Sequence, residues 1–188
     1  MLAEQIEKKG YLIADSLTAL RALIALRLAY ILWQGKAALD SFMVLIFAAW
    51  LSDCLDGYFA RKSGREGHLA EADGWVDWAV YIISLLYGTV LGRYSWTFFG
   101  IFVTVNILSF WLSRSIHVNQ AFHFLYILLG FRTVWLESIF WRRFFLIWVA
   151  GVIFFKRHRL KVQIQEFLAG WNHLLTGRRK NQATPPEQ

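Results

Sequence analysis

A single cysteine, Cys54, stands in the 188-residue chain, which excludes an intramolecular disulfide and any zinc or iron–sulfur site built from several thiolates of this chain. Proline is nearly absent, with two residues, and acidic side chains are the scarcer charge, 13 against 20 Lys and Arg for a formal net charge of +7. There is no internal repeat, no Gly/Ser linker and no sign of a second, soluble domain. A cleavable signal peptide is not expected, because Glu4, Glu7, Lys8 and Lys9 mix charge at the start and the first apolar run is long and interrupted by Arg21 and Arg27. What is abundant is apolar surface. Hydrophobic residues make up 57% of the chain, among them 10 Trp, 7 Tyr and 16 Phe, a load that argues against a water-soluble globule.

The apolar residues come in runs of about twenty, the length that crosses a bilayer as a helix. Six candidate spans lie near 15–34, 39–60, 72–92, 95–115, 119–139 and 142–156, predicting an all-α integral membrane bundle of about six transmembrane helices with short interfacial helices at its ends. The sixth has a short apolar core, so Arg142 and Arg143 must snorkel or the span must begin earlier. With six spans, thirteen Lys and Arg fall on the side of the termini and four (Lys36, Arg93, Arg142, Arg143) on the other. Both termini are therefore expected to be cytoplasmic. The membrane domain is expected over residues 1–160. A basic amphipathic tail helix over 161–180 should lie in the interface on anionic lipid, and 181–188 should be a disordered end. No nucleic-acid partner is expected.

Acidic residues at membrane depth are costly and mark ion or substrate sites, and four Asp here lie against apolar runs. Asp53, Asp56, Gly57, Ala60 and Arg61 fall at i, i+3, i+4, i+7 and i+8, one stripe of a helix, and Asp73 and Asp77 share a face of the next. A short connection makes these helices antiparallel neighbours, so the four carboxylates meet at one cytoplasmic depth. Oxygen ligands without His or Cys favour hard cations, Mg²⁺ or Mn²⁺, and four carboxylates suffice for two ions. Gly57 and Ala60 leave room beside them for a ligand, and Arg61 is placed to hold a phosphate oxygen.

The run Asp53, two residues, Asp56, Gly57, two residues, Ala60, Arg61, then Asp73, three residues, Asp77 resembles the signature of the CDP-alcohol phosphatidyltransferases, six-helix membrane enzymes that transfer a phosphatidyl or similar group from a CDP-linked donor and release CMP. The stretch Asp15 to Arg21 is similar to the opening of the first span in that family, with Asp15 in place of Asn. One position departs. Four residues before the third Asp the family has a glycine, close to the bound nucleotide, where this chain has Leu69, with Gly67 two positions earlier. Either the loop shifts so that Gly67 takes its place, or the donor differs, or turnover has been lost while the metal site is kept.

The resemblance implies Asp53, Asp56, Asp73 and Asp77 as ligands of two Mg²⁺ or Mn²⁺ ions, Asp77 also as general base, and Gly57, Ala60 and Arg61 as donor-binding residues. It implies CDP-diacylglycerol and a small alcohol, glycerol 3-phosphate as best guess, as substrates in phospholipid biosynthesis. A homodimer and a bacterial inner membrane are expected with it. Arg114 and Arg132 are candidates for an acceptor's phosphate, against an interfacial anchor for the first and a buried ion pair for the second. Arg27 needs a partner that the sequence does not identify. His68 and Glu71 read as loop residues, His117 and His123 as interface residues, and Cys54 as packing between two ligands. Two other classes compete. A divalent-cation transporter would use the same carboxylates, though Arg61 on their stripe would repel a permeating ion. A non-catalytic homologue would retain the metal site alone.

Overall fold

Connections of at most six residues separate long apolar segments, and a segment surrounded by lipid can satisfy its backbone only as a helix. The computed structural model, which describes residues 2–34, 38–65, 67–113 and 116–176, contains six helices and no strand among them: α1 (Leu2–Trp33), α2 (Leu39–Ser63), α3 (Ala70–Val90), α4 (Trp96–Ser113), α5 (Ile116–Glu137) and α6 (Ile139–Thr176). Two of these, α2 and α4, are long and apolar enough to count as membrane spans by themselves. The other four fall short of the six expected because polar side chains dilute them. Arg21 and Arg27 interrupt α1, Glu71, Asp73 and Asp77 open α3, Arg132 lies in α5, and the second half of α6 is basic.

Glycine ends both helices that flank the acidic segment. Gly64 takes φ +61° as the C-cap of α2, its N–H donating to the Arg61 carbonyl, and Gly92 takes φ +71° just past α3, a left-handed geometry that other residues adopt only at a cost. The chain then reverses and lays α3 against α1. At ~1.5 Å per residue the 32 residues of α1 and 38 of α6 extend ~48 and ~57 Å, longer than a ~30 Å hydrocarbon core. The tail expected as a separate helix from 161 is, in its backbone, a continuation of α6 through Thr176; residues 177–188 lie outside the described residues.

The core gathers Ile24, Ala25 and Leu28 of α1, Phe42, Met43, Ile46 and Phe47 of α2, Val80 and Tyr87 of α3, Val134 of α5, and Trp141 and Phe145 of α6. Phe42 stacks on Tyr87 with centroids 3.8 Å apart, and Phe47 meets Trp141, Phe144 and Trp148, so aromatic rings fill the gap between α2 and α6. Helix α4 is peripheral. Asn106 is its one buried residue, held by hydrogen bonds from the Trp78 Nε1–H at 2.8 Å and the Tyr126 hydroxyl at 3.3 Å, while Ile101, Val105, Leu108, Trp111 and Leu112 are exposed. An apolar helix exposed on most sides suits hydrocarbon as its solvent.

Candidate active site

The functional end of the bundle is the C-terminal part of α2, the start of α3 and the facing stretch of α1. On α1 the buried residues Ala14, Thr18, Arg21, Ala25 and Leu28 recur at helical spacing, so Arg21 points into the protein rather than into lipid. Its side chain is 1% exposed, and its guanidinium reaches all four carboxylates of the acidic segment. Nη2 contacts Asp56 Oδ2, and Nη1 contacts Asp77 Oδ1, Asp73 Oδ1 at 2.9 Å and Asp53 Oδ1 at 3.5 Å. Nε–H donates to Ser52 Oγ at 3.4 Å, and that hydroxyl donates to the Ala49 carbonyl. Thr18 donates to Asp73 Oδ1 at 3.2 Å.

The expected direct packing of α2 on α3 is not what gathers the carboxylates: α1 packs against both helices, and its Arg21 lies among Asp53, Asp56, Asp73 and Asp77. One oxygen each from Asp53, Asp56 and Asp73 lie within 4.8 Å of one another, close enough to ligate a common ion. Burial grades across the cluster: Asp56 is 9% exposed, Asp77 24%, Asp73 33% and Asp53 51%. The donor set is oxygen alone and its charge exceeds that of the single guanidinium by three. It therefore fits a hard divalent cation.

On the Asp56 and Asp73 side opens a cavity of about 390 Å³, lined also by Asp15, Thr18, Gly57, Ala60, Arg61, Arg65 and Gly67. That volume is in the range of small-molecule sites, and carboxylates and two arginines alike line it. Gly57 matters sterically, because a Cβ there would come 3.0 Å from Arg61 Nη1. On the other side of the cluster a small crevice of about 10 Å³ is lined by Arg21, Asp53, Asp77 and Tyr81. Asp77 faces that crevice and is absent from the large cavity's lining.

Asp15 has a position that its place in the sequence only hinted at. Its two oxygens accept the backbone N–H groups of His68 and Leu69, each at 3.0 Å, pinning the loop that precedes α3, where a helix N-terminus favours a carboxylate. Gly67 lies directly over it: a Cβ at 67 would fall 2.1 Å from Asp15 Oδ1. Gly67 lines the cavity, whereas Leu69 is the residue before α3 and is not among the lining residues.

Among the described residues, neither Arg27 nor Arg132 is brought to the cluster. Arg132 is exposed and lies over the Tyr94 ring at 5.4 Å, beyond the C-terminal end of α3. Asp77 is thirteen residues from that end, ~20 Å along the helix, so Arg132 neither meets a phosphate at the carboxylates nor makes the buried ion pair considered for it. Arg114 lies outside the described residues. Arg27 has the Tyr30 ring for company at 5.4 Å, and His68 meets the Tyr11 ring edge-on. The residue that sequence reasoning passed over is Arg21. Its place on the buried stripe of α1, four residues before one apolar core position and three after a polar one, was the available signal.

A family model described as CDP-alcohol phosphatidyltransferase matches residues 11–157. The chain belongs to the CDP-alcohol phosphatidyltransferase family. No curated protein and no solved structure matches it. The matched span covers α1 from Tyr11 through the first half of α6 and includes every residue of the cluster and of the large cavity. As a CDP-alcohol phosphatidyltransferase the protein is a transferase of phospholipid biosynthesis, from a membrane-embedded, divalent-metal-dependent family that works on CDP-linked donors and alcohol acceptors.

Proposed function

We propose that this CDP-alcohol phosphatidyltransferase moves the phosphatidyl group of CDP-diacylglycerol onto a small alcohol, releasing CMP, with glycerol 3-phosphate the first acceptor to test. The observation that carries this reading is the convergence of four carboxylates from α2 and α3 between a large arginine-lined cavity and a crevice on their far side. In the proposal all six helices lie in the membrane, both termini and the cluster face the cytoplasm, and the protein is multi-pass and works as a homodimer in a bacterial inner membrane.

Asp53, Asp56, Asp73 and Asp77 would hold two Mg²⁺ or Mn²⁺ ions. Bound there, the ions would supply charge neutralisation for the diphosphate and for the departing CMP. Arg61 and Arg65, which line the same cavity as Asp56 and Asp73, bind the donor's phosphate oxygens, and Gly57 and Ala60 keep the α2 wall thin enough for the nucleotide to lie against it. Asp77 faces the opposite side. In-line displacement places the entering and leaving oxygens on opposite sides of phosphorus, so the acceptor hydroxyl comes from the side of Asp77, where the crevice of about 10 Å³ has to widen to admit it. Asp77 takes the hydroxyl proton as that oxygen bonds to the donor's β-phosphorus, and the bond from phosphorus to the oxygen bridging to CMP breaks.

The formal charges favour this occupant. Four carboxylates would offset two divalent ions and Asp15 offsets one of the cavity's two arginines, Arg61 and Arg65, which leaves the other and Arg21 to offset the two charges of a diphosphate diester. A transporter fits less well, because a permeating cation would have to pass two arginines. The deciding measurement is CMP release from CDP-diacylglycerol by purified protein across a panel of alcohols, with and without Mg²⁺. Asp77→Asn should lower transfer at least ~100-fold, the scale of a lost general base, with CDP-donor binding nearly unchanged. Wild-type turnover in that variant removes the base assignment, and no CMP with any acceptor removes the transferase reading in favour of a non-catalytic homologue.

A further inference from the structure

Two kinds of cation have a claim on the same oxygens. The Arg21 guanidinium contacts one oxygen of each of Asp53, Asp56, Asp73 and Asp77, and the proposed metal site needs those same four carboxylates. We propose that Arg21 is a positioning residue that acts as a built-in counter-cation: it gathers the carboxylates when no divalent ion is bound and competes with the ions, thereby setting the metal affinity. This rests on the metal-site reading above and adds to it which residue tunes the site.

The sign follows from linkage. Without a partner, four neighbouring carboxylates repel and are costly to bury, Asp56 above all. A buried arginine, permanently charged and fixed through Nε on Ser52, lowers that cost. Once two divalent ions have neutralised the carboxylates, the same guanidinium gains little from them and is repelled by the ions. Arg21 therefore stabilises the ion-free protein more than the ion-bound one, and whatever does so weakens ion binding by the same factor. Its removal should tighten the site. A purely structural arginine would give the opposite result, since loss of a scaffold contact loosens the ligands it positions.

Mn²⁺ binding to detergent-purified full-length protein, followed by electron paramagnetic resonance of the free ion, reads this directly. Arg21→Gln should bind Mn²⁺ about tenfold tighter than wild type, within the roughly 5- to 150-fold span usual for such couplings. Its thermal midpoint should fall in chelator and recover disproportionately with Mn²⁺. If Arg21→Gln does not fold, Arg21→Lys serves. It keeps the charge on a head too compact to span four carboxylates, and it should bind Mn²⁺ more tightly than wild type by a smaller factor. Unchanged or weaker Mn²⁺ binding in whichever variant folds overturns the proposal. A wild-type protein that binds no Mn²⁺, or binds it equally well as Asp56→Asn, instead overturns the metal-site reading on which it rests.

Discussion

Asp15 shows how one carboxylate can shape a site without touching the chemistry. It holds the His68 and Leu69 amides, and Gly67 leaves the space that its Oδ1 occupies. Asp15→Ala frees two amides at the mouth of the donor cavity. It should cost about 1 kcal/mol of stability, as loss of a helix-capping group does, and raise the KM for CDP-diacylglycerol several-fold with kcat little changed. Gly67→Ala should be worse alone, because its Cβ meets Asp15. Combined with Asp15→Ala it should recover part of the loss, a coupling that a double-mutant cycle measures. Additive losses would show that the two residues do not act through each other. The acidic residues of the cluster were legible in sequence because carboxylates beside apolar runs have few bland explanations. Arg21 was not, since a basic residue inside a span reads equally well as a snorkelling one until the buried stripe of α1 is known. Nor could spacing reveal that Gly67, rather than position 69, lies at the cavity.

Helix interiors were easier to read than helix ends. The expected spans near 39–60 and 95–115 correspond to α2 (Leu39–Ser63) and α4 (Trp96–Ser113), but α1 begins at Leu2 and α6 runs to Thr176. Hydropathy marks where lipid begins and ends, whereas a helix continues as long as its backbone hydrogen bonds do. The packing of helix on helix also has a local determinant that hydropathy does not see. Where α3 meets α5, a Cβ on Gly88 would come 2.6 Å from Thr133 Oγ1 and 2.9 Å from the Tyr94 ring, so the close approach requires glycine. Gly88→Ala should destabilise the protein by about 1–3 kcal/mol, the cost of overpacking. The same strain should loosen Tyr94, whose hydroxyl donates to the Leu129 carbonyl at 2.8 Å. Thermal unfolding in detergent of Gly88→Ala, Tyr94→Phe and the double variant checks both, because a Tyr94 hydrogen bond already loosened by Gly88→Ala leaves Tyr94→Phe less to remove. An unperturbed midpoint would mean that α3 can move away from α5 at no cost.

At the scale of the whole molecule, the acidic cluster belongs to one end of the bundle and further polar pairs to the other. The carboxylates, Arg21 and the large cavity lie where α2 ends and α3 begins, while Arg93 pairs with Glu137 and Trp141 donates to Asp40 at the other end. Exposed tryptophans mark both levels: Trp75 and Trp111 toward the carboxylate end, Trp33, Trp96 and Trp135 toward the other, the pattern of two interfacial girdles. Trp96 and Trp111 share α4, fifteen residues apart, which separates the two levels by ~23 Å at ~1.5 Å per residue, inside the ~30 Å of a hydrocarbon core. Six crossings follow if the charged side chains that dilute α1, α3, α5 and α6 face the protein or the interfaces, as Arg21, Asp73 and Asp77 do. Because Cys54 is the one native thiol, orientation can be tested on a Cys54→Ala background. In intact cells Gln34→Cys, at the end of α1, should react with a membrane-impermeant maleimide, and Lys62→Cys, at the carboxylate end, should react only after the membrane is opened. The reverse pattern would put the cluster outside, away from cytoplasmic CDP-linked donors. Labelling of both in intact cells would mean that α2 does not cross the membrane at all.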